Sequence, residues 1–174
     1  MPLANDLVRG CAAVLMLFPT AAIGAAALKV ASVTEFSQLP TPLPYPFNET
    51  ANADDQVNSA LARAEAQHKL AFIDLGANWC ADCRILASIM ELPEVKQFVE
   101  AKYVVVQVDV GRLNRNLQIP ARWGITGRLE GIPAVLIVDP SDNSLIDRSN
   151  VTTLVEARHM TPQGIADWIA KWVR

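Results

Sequence analysis

Beyond about residue 54 the hydrophobic positions switch repeatedly between a helical and a strand period. Val57, Leu61 and Ala64 recur on one face and predict a helix ending near Gln67. Residues 69–75 then read as a strand, apolar except for Asp74. Arg84–Met90 returns to a helical pattern. Pro93 either interrupts that helix or starts a new turn, and Val95, Phe98 and Val99 continue a buried face. Residues 103–109 are rich in β-branched residues and apolar on both faces, as a central parallel strand is. A short helix is predicted over 118–123 and a strand over 133–139. Residues 140–144 form a turn into a shorter strand near 145–148. Thr161-Pro162 is a cap followed by proline at the first helical position. The stripe Ile165, Trp168, Ile169 and Trp172 completes a last helix. The order helix, βαβ, β-hairpin, helix predicts an α/β sandwich with a mixed central sheet.

The first 53 residues follow neither period. Arg9 precedes an apolar run from Cys11 to Leu28 that ends in small residues, the layout of a secretory signal. Residues 1–30 are therefore expected to be a signal peptide or a membrane anchor, with cleavage favoured; a buried helix is the plainer alternative. Pro40, Pro42, Pro44 and Pro46 alternate within 31–53, which reads as a proline-rich linker of extended backbone. The domain proper is expected over 54–174. Asn48-Glu49-Thr50 and Asn150-Val151-Thr152 match a glycosylation acceptor pattern, but so short a pattern is best explained by chance.

Composition narrows the function. Half of the 174 residues are apolar, enough for one ordinary domain with a core. The net charge of −3 and the lack of a basic cluster give nucleic-acid binding no support. Three cysteines are too few for a disulfide-stapled scaffold. Cys11 lies far from the other two, inside the apolar run, so its removal with a leader would leave only Cys80 and Cys83.

Those two carry the candidate chemistry. Trp79-Cys80-Ala81-Asp82-Cys83 lies where a predicted strand turns into a helix. Cys80 at a helix N-terminus faces free N–H groups and the positive end of the macrodipole, which favour its thiolate. The thiolate is the form that attacks disulfides. A pair spaced in this way can also share a metal. However, His68 and His159 match no zinc-ligand spacing and read as residues at helix ends, so no metal site is expected. Arg122 and Arg128 read as solvated loop residues or as steering groups for an acidic partner.

The segment 54–174 resembles the thioredoxin fold. Asp74, the Trp-Cys-x-x-Cys stretch and Gly131-Ile132-Pro133 carry the likeness, in the family's order. The closest flavour is that of exported bacterial thioredoxin-like proteins, including domains of transmembrane thiol–disulfide interchange proteins. The resemblance implies a thioredoxin-like α/β fold, a mixed central β-sheet flanked by helices in three α/β/α layers. It implies no bound cofactor beyond a redox-active Cys80–Cys83 disulfide. In its terms Asp74 is a buried acid, Pro133 follows a cis peptide bond, and the Ile132 backbone pairs with an extended client while Trp79 shields the site. Cys80 attacks a client disulfide and Cys83 resolves the mixed disulfide, with Asp74 as the candidate proton acceptor.

The sequence also departs from the family. Ala81-Asp82 stands where ordinary cytosolic thioredoxins have Gly-Pro, Gly127–Glu130 reads as an added loop, and valines at 104–106 replace the lysine that often accompanies the buried acid. Asp82 is read as a charge opposing the neighbouring thiolate, which favours a reductant over a strong oxidant. The function expected is a thiol–disulfide oxidoreductase, acting on protein disulfide or dithiol clients with a membrane or soluble electron donor. The location expected is periplasmic or otherwise extracytoplasmic, with a possible inner-membrane tether. A redox-active client-binding or chaperone module is the alternative, and metal delivery is a weaker third.

Overall fold

Strand β1 (Leu70–Gly76) lies inside the sheet and is buried from Ala71 onward, because helices cover both of its faces. The computed structural model describes residues 27–173. Within it β2 (Tyr103–Asp109) runs parallel to β1, and β3 (Ala134–Asp139) runs antiparallel on the other side. A two-residue β4 (Ser144–Leu145) completes the order β2-β1-β3-β4. The sheet is mixed because β1 and β2 are joined by a helical crossover, whereas β3 and β4 form a hairpin.

Alternation along the strands divides the core in two. Ala71, Ile73 and Leu75 face a layer with Val57, Ala60 and Ala64 of α1 (Ala53–Ala66) and Ile119 of α4 (Gln118–Ala121). Phe72, Val135 and Ile137 face α2 (Ala81–Met90), α3 (Pro93–Lys102) and α5 (Pro162–Ala170). On that side Phe72 meets Tyr103 and Trp168 edge-on, with ring centroids 5.6 and 6.4 Å away. This is the three-layer α/β/α arrangement.

Local chemistry sets the helix ends. Asn52 accepts from the N–H groups of Asp54 and Asp55, at 3.0 and 3.2 Å, and so starts α1. Pro93 sits in the first turn of a separate α3, because the residue before a proline is driven out of helical backbone; Leu92 is extended. Thr161 caps α5 by accepting from Gly164 N–H at 3.0 Å. Trp172 falls beyond the last turn of α5 yet still packs on Trp168, with centroids 5.5 Å apart.

Two regions differ from the sequence reading. The strand expected near 145–148 stops at Leu145. Ile146 N–H still reaches the Ile137 carbonyl at 2.8 Å, but the Asp147 carboxylate then turns inward and takes Ile137 N–H at 3.0 Å. A side chain thus replaces the strand carbonyl, and a 3-10 turn follows over Arg148–Asn150. A second 3-10 segment, Thr153–His159, had no helical period to announce it; it is kinked at Glu156.

The second difference is the stretch expected to be a linker. Residues 31–53 lie on the domain, with Val33, Leu39 and Phe47 buried. Glu94 accepts from Ala31 N–H at 2.8 Å and from Ser32 N–H at 2.9 Å. Gln163 accepts from Val30 N–H and donates to the Leu28 carbonyl, each at 2.9 Å. Arg84 of α2 donates to the carbonyls of Leu43 and Pro44, at 2.6 and 3.0 Å. Proline-rich backbone has no internal hydrogen bonds, so its carbonyls are available to such a donor. Residues 1–26, which carry most of the expected signal or anchor, lie outside the described residues. Among the described residues no helix is long and apolar enough to cross a membrane.

Candidate active site

The C-terminal end of β1 leads through Ala77-Asn78-Trp79 to Cys80, which is the N-cap of α2. The turn closes when Cys80 N–H donates to the Ala77 carbonyl at 3.0 Å and Cys83 N–H donates to Cys80 Sγ at 3.1 Å. A sulfur held at a helix start by a backbone N–H is placed where negative charge is favoured. Cys80 and Cys83 are joined as a disulfide with their Cα atoms 5.3 Å apart. Cys80 is 5% exposed and Cys83 is fully buried, so only the first sulfur has a path to a partner.

Facing the pair is the loop before β3. Cys80 Sγ lies 3.6 Å from the Ile132 carbonyl oxygen, and the Ile132–Pro133 peptide is cis. Pro133 is buried and contributes no N–H to the turn. Gly131 is tightly covered, since a methyl on its Cα would come 2.6 Å from Val155.

Asp74 is fully buried on β1, and neither carboxylate oxygen has a hydrogen-bond partner among the described residues. Burial raises its pKa from 3.8 to about 8. Its side of the strand also carries Gly76, one pleat on, about 7 Å along the chain. A methyl on Gly76 would lie 3.0 Å from Cys83 Sγ and would overlap the Phe47 ring. The bare backbone at Gly76 therefore lets the buried sulfur reach the strand on the face that holds Asp74. Phe47, from the proline-rich segment, closes the same spot. Asn78 fastens that segment by accepting from Phe47 N–H at 3.1 Å and donating to its carbonyl at 2.9 Å.

Trp79 is 54% exposed. Its Nε1 donates to the Gly111 carbonyl at 2.8 Å, and the Arg112 guanidinium lies 5.5 Å from its ring. It stands on the rim beside Cys80. Ala81 is exposed on the first turn of α2.

Asp82 departs most from the sequence reading. It is 4% exposed and turns away from solvent toward the Thr153–His159 segment. Its Oδ1 accepts from Arg158 N–H at 2.8 Å and from Arg158 Nε at 3.0 Å, while Oδ2 accepts from Nε at 3.0 Å and from Nη2. Burial alone would raise its pKa, but the Arg158 hydrogen bonds and charge outweigh that and hold the carboxyl below the usual range. The charge between the cysteines is therefore compensated and does not stand alone against a thiolate. Arg84, next to Cys83 on α2, is held by the proline-rich segment and lies 4.0 Å from the Tyr45 ring centroid. Arg122 is paired with Asp54 and donates to Asn58 at 2.8 Å. Arg128 is exposed.

Three residues beside the site escaped the sequence reading: Phe47, Asn78 and Arg158. The only hint was Asp82 itself, since a carboxylate in the first turn of a buried helix calls for a cation. His159 lies 3.6 Å from Glu156 on the surface. Among the described residues no group of three or more potential ligands could hold a metal. A groove of about 770 Å³ lined by His68, Lys102, Asp142 and Trp172 lies at the opposite end of the sheet.

Comparison with known proteins agrees with this geometry. Residues 52–140 match the model of the family described as thioredoxin-like. A thioredoxin of Rickettsia bellii (strain RML369-C) is 32% identical over 65 residues, which are 37% of this chain and 53% of that protein. The chain thus aligns with about half the length of that curated relative. The crystal structure of a disulphide isomerase from Xylella fastidiosa Temecula1 is 37% identical, covers 74% of this chain and 97% of its own, and superposes with a TM-score of 0.66. With its sheet order, its dithiol turn at the start of α2 and these relatives, the chain belongs to the thioredoxin-like family.

Proposed function

We propose that this protein is a thiol–disulfide oxidoreductase that exchanges electrons with protein clients through Cys80 and Cys83. The observation that carries this reading is the placement of the pair. One sulfur is at a helix N-terminus facing the Ile132 carbonyl, and the other is sealed beneath it. In the reducing direction the Cys80 thiolate attacks a client disulfide, forming one mixed S–S bond and releasing one client thiolate. Cys83 then loses its proton, attacks Cys80 and expels the second client sulfur. Two electrons pass to the client, and the protein is left as the disulfide. Asp74 is the acceptor, directly or through water, in its ionised form, which burial makes the minor form at neutral pH but a strong base for the Cys83 proton. Trp79 and the Ile132–Pro133 backbone form the client-facing rim, and a dithiol donor, soluble or in the membrane, restores the reduced state.

The reducing direction is our reading of the electrostatics. Strong oxidants owe their potential to a very stable thiolate. Here the two guanidiniums held against α2 are engaged, Arg158 by Asp82 and Arg84 by the Leu43 and Pro44 carbonyls, while Arg112 lies over the Trp79 ring on the rim. The helix terminus and Cys83 N–H remain to stabilise Cys80, which supports a moderate thiolate. The apolar run after Arg9 supports an extracytoplasmic site of action, which amino-terminal sequencing of the protein from fractionated cells tests.

The deciding experiment is turnover of a disulfide-bonded protein such as insulin with a dithiol donor. Catalysed reduction that is lost in Cys80→Ser supports the proposal; no rate above the donor alone refutes it. A client-holding module is the second reading, favoured by Trp79 and Tyr45, which are 54% and 65% exposed. It predicts suppression of client aggregation by Cys83→Ser without turnover.

A further inference from the structure

We propose that Arg158 is a positioning residue of the active-site turn, whose guanidinium holds and neutralises Asp82 so that Cys80 can ionise. The inference rests on the exchange chemistry proposed above and goes beyond it, since it places a tuning group on a segment remote in sequence from both cysteines. Three observations converge. Asp82 is buried in the first turn of α2, two residues from Cys80 and next to Cys83. Both of its oxygens are held by Arg158 through backbone N–H, Nε and Nη2, a forked grip that a lysine cannot reproduce. The segment that carries Arg158 also carries Val155, which packs on Gly131 just before Ile132 and Pro133. One short stretch, Thr153–His159, therefore grips the helix that presents Cys80 and covers the loop that faces its sulfur.

The charges decide the direction of the effect. An unpaired carboxylate beside Cys80 opposes the thiolate, and the helix terminus favours it. With Arg158 in place the carboxylate and guanidinium nearly cancel, and the helix terminus prevails. Without Arg158 the buried carboxylate acts uncompensated on the thiolate and is itself costly. Other ionisable groups around the turn are Asp74 beneath it, Arg84 on α2, Arg112 above Trp79, Glu156 beside Arg158, Glu49 on Asn78 and the Asp109–Arg115 pair at the end of β2.

The test compares Arg158→Ala, Arg158→Lys, Asp82→Asn and the double variant Asp82→Asn/Arg158→Ala in the full chain. The readouts are the pH dependence of Cys80 alkylation in the reduced protein and the equilibrium constant with glutathione. Arg158→Ala should raise the Cys80 pKa and shift the glutathione equilibrium roughly threefold to tenfold toward the protein disulfide. Asp82→Asn should shift both the opposite way, since it leaves the guanidinium uncompensated. Arg158→Lys should restore most of the wild-type pKa and keep the fold if Arg158→Ala does not. The double variant should return both readouts close to wild type, even if it is less stable.

Wild-type values in Arg158→Ala, or a double variant indistinguishable from Arg158→Ala, would overturn the proposal. A wild-type protein that titrates normally but turns over no client would instead overturn the function above and leave the pairing intact.

Discussion

Phe47 and Asn78 hold each other by a reciprocal pair of hydrogen bonds, from Phe47 N–H to Asn78 Oδ1 at 3.1 Å and from Asn78 Nδ2 to the Phe47 carbonyl at 2.9 Å. The pair joins the proline-rich amino-terminal segment to the residue before Trp79. It seats the Phe47 ring where β1 gives way to a bare backbone at Gly76, against Cys83. The amino-terminal segment is thereby part of the wall around the buried sulfur.

Asn78→Ala removes both bonds and should cost about 1–3 kcal/mol in urea unfolding. Phe47→Ala empties a buried aromatic site and should cost about 3–5 kcal/mol. In both variants Cys83 of the reduced protein should alkylate faster under native conditions. Unchanged Cys83 protection in Phe47→Ala would show that the ring is packing only and does not seal the thiol.

The two cysteines should behave unequally. Cys80→Ser should abolish exchange, and Cys83→Ser should accumulate a mixed disulfide through Cys80, because Cys83 is fully buried and Cys80 is not. Mass spectrometry of trapped adducts reads this directly. Client attached through Cys83 in a Cys80→Ser protein would reverse the roles.

What could be read in the sequence was what neighbours in sequence enforce. Strand β1, the helix that follows it and the position of Cys80 at the helix start all follow from periods and caps within about twenty residues. The Asp82–Arg158 pair spans 76 positions. No local pattern announces it, so in the sequence alone the carboxylate stands unpaired. Proline alternation gave the backbone conformation of residues 40–46 but not its docking, which depends on Arg84 and on the buried side chains of Leu39 and Phe47. The expected strand at 145–148 failed for a related reason. Asp147 donates no side-chain pattern of its own, yet its carboxylate takes the Ile137 N–H that a longer strand would have used.

The couple should be reducing. With Arg158 held by Asp82 and Arg84 by the Leu43 and Pro44 carbonyls, Cys80 lacks the extra cationic support at α2 that makes a strong oxidant. Its potential should fall nearer the thioredoxin value of about −270 mV than the strong-oxidant value of about −120 mV. Equilibration with defined glutathione mixtures gives the number. A value near the oxidant end would assign the protein to disulfide formation and overturn the reducing direction.

Asp74 links stability and exchange through one proton. Its pKa is about 8 in the fold against 3.8 for a solvated aspartate, so between these values the folded protein binds more protons than the unfolded chain. Stability must then fall as pH rises through that window and level off above it. Asp147, raised by burial to about 6 against the opposing bond from Ile137 N–H, adds a slope of the same sign that ends earlier. The lowered groups Asp82 and Glu94 act oppositely, contributing stability that is lost only in acid, below their ordinary values. Asp74→Asn should therefore stabilise the protein by roughly 2–5 kcal/mol at pH 8 and by far less near pH 4, and should remove most of the slope above pH 6. The same change takes away the acceptor for the Cys83 proton, so resolution of the mixed disulfide should slow near neutral pH. The two effects together separate a mechanistic carboxyl from a merely buried one. A variant that is stabilised yet resolves mixed disulfides at the wild-type rate from about pH 6 to 9 would leave Asp74 a buried cost with no part in proton transfer.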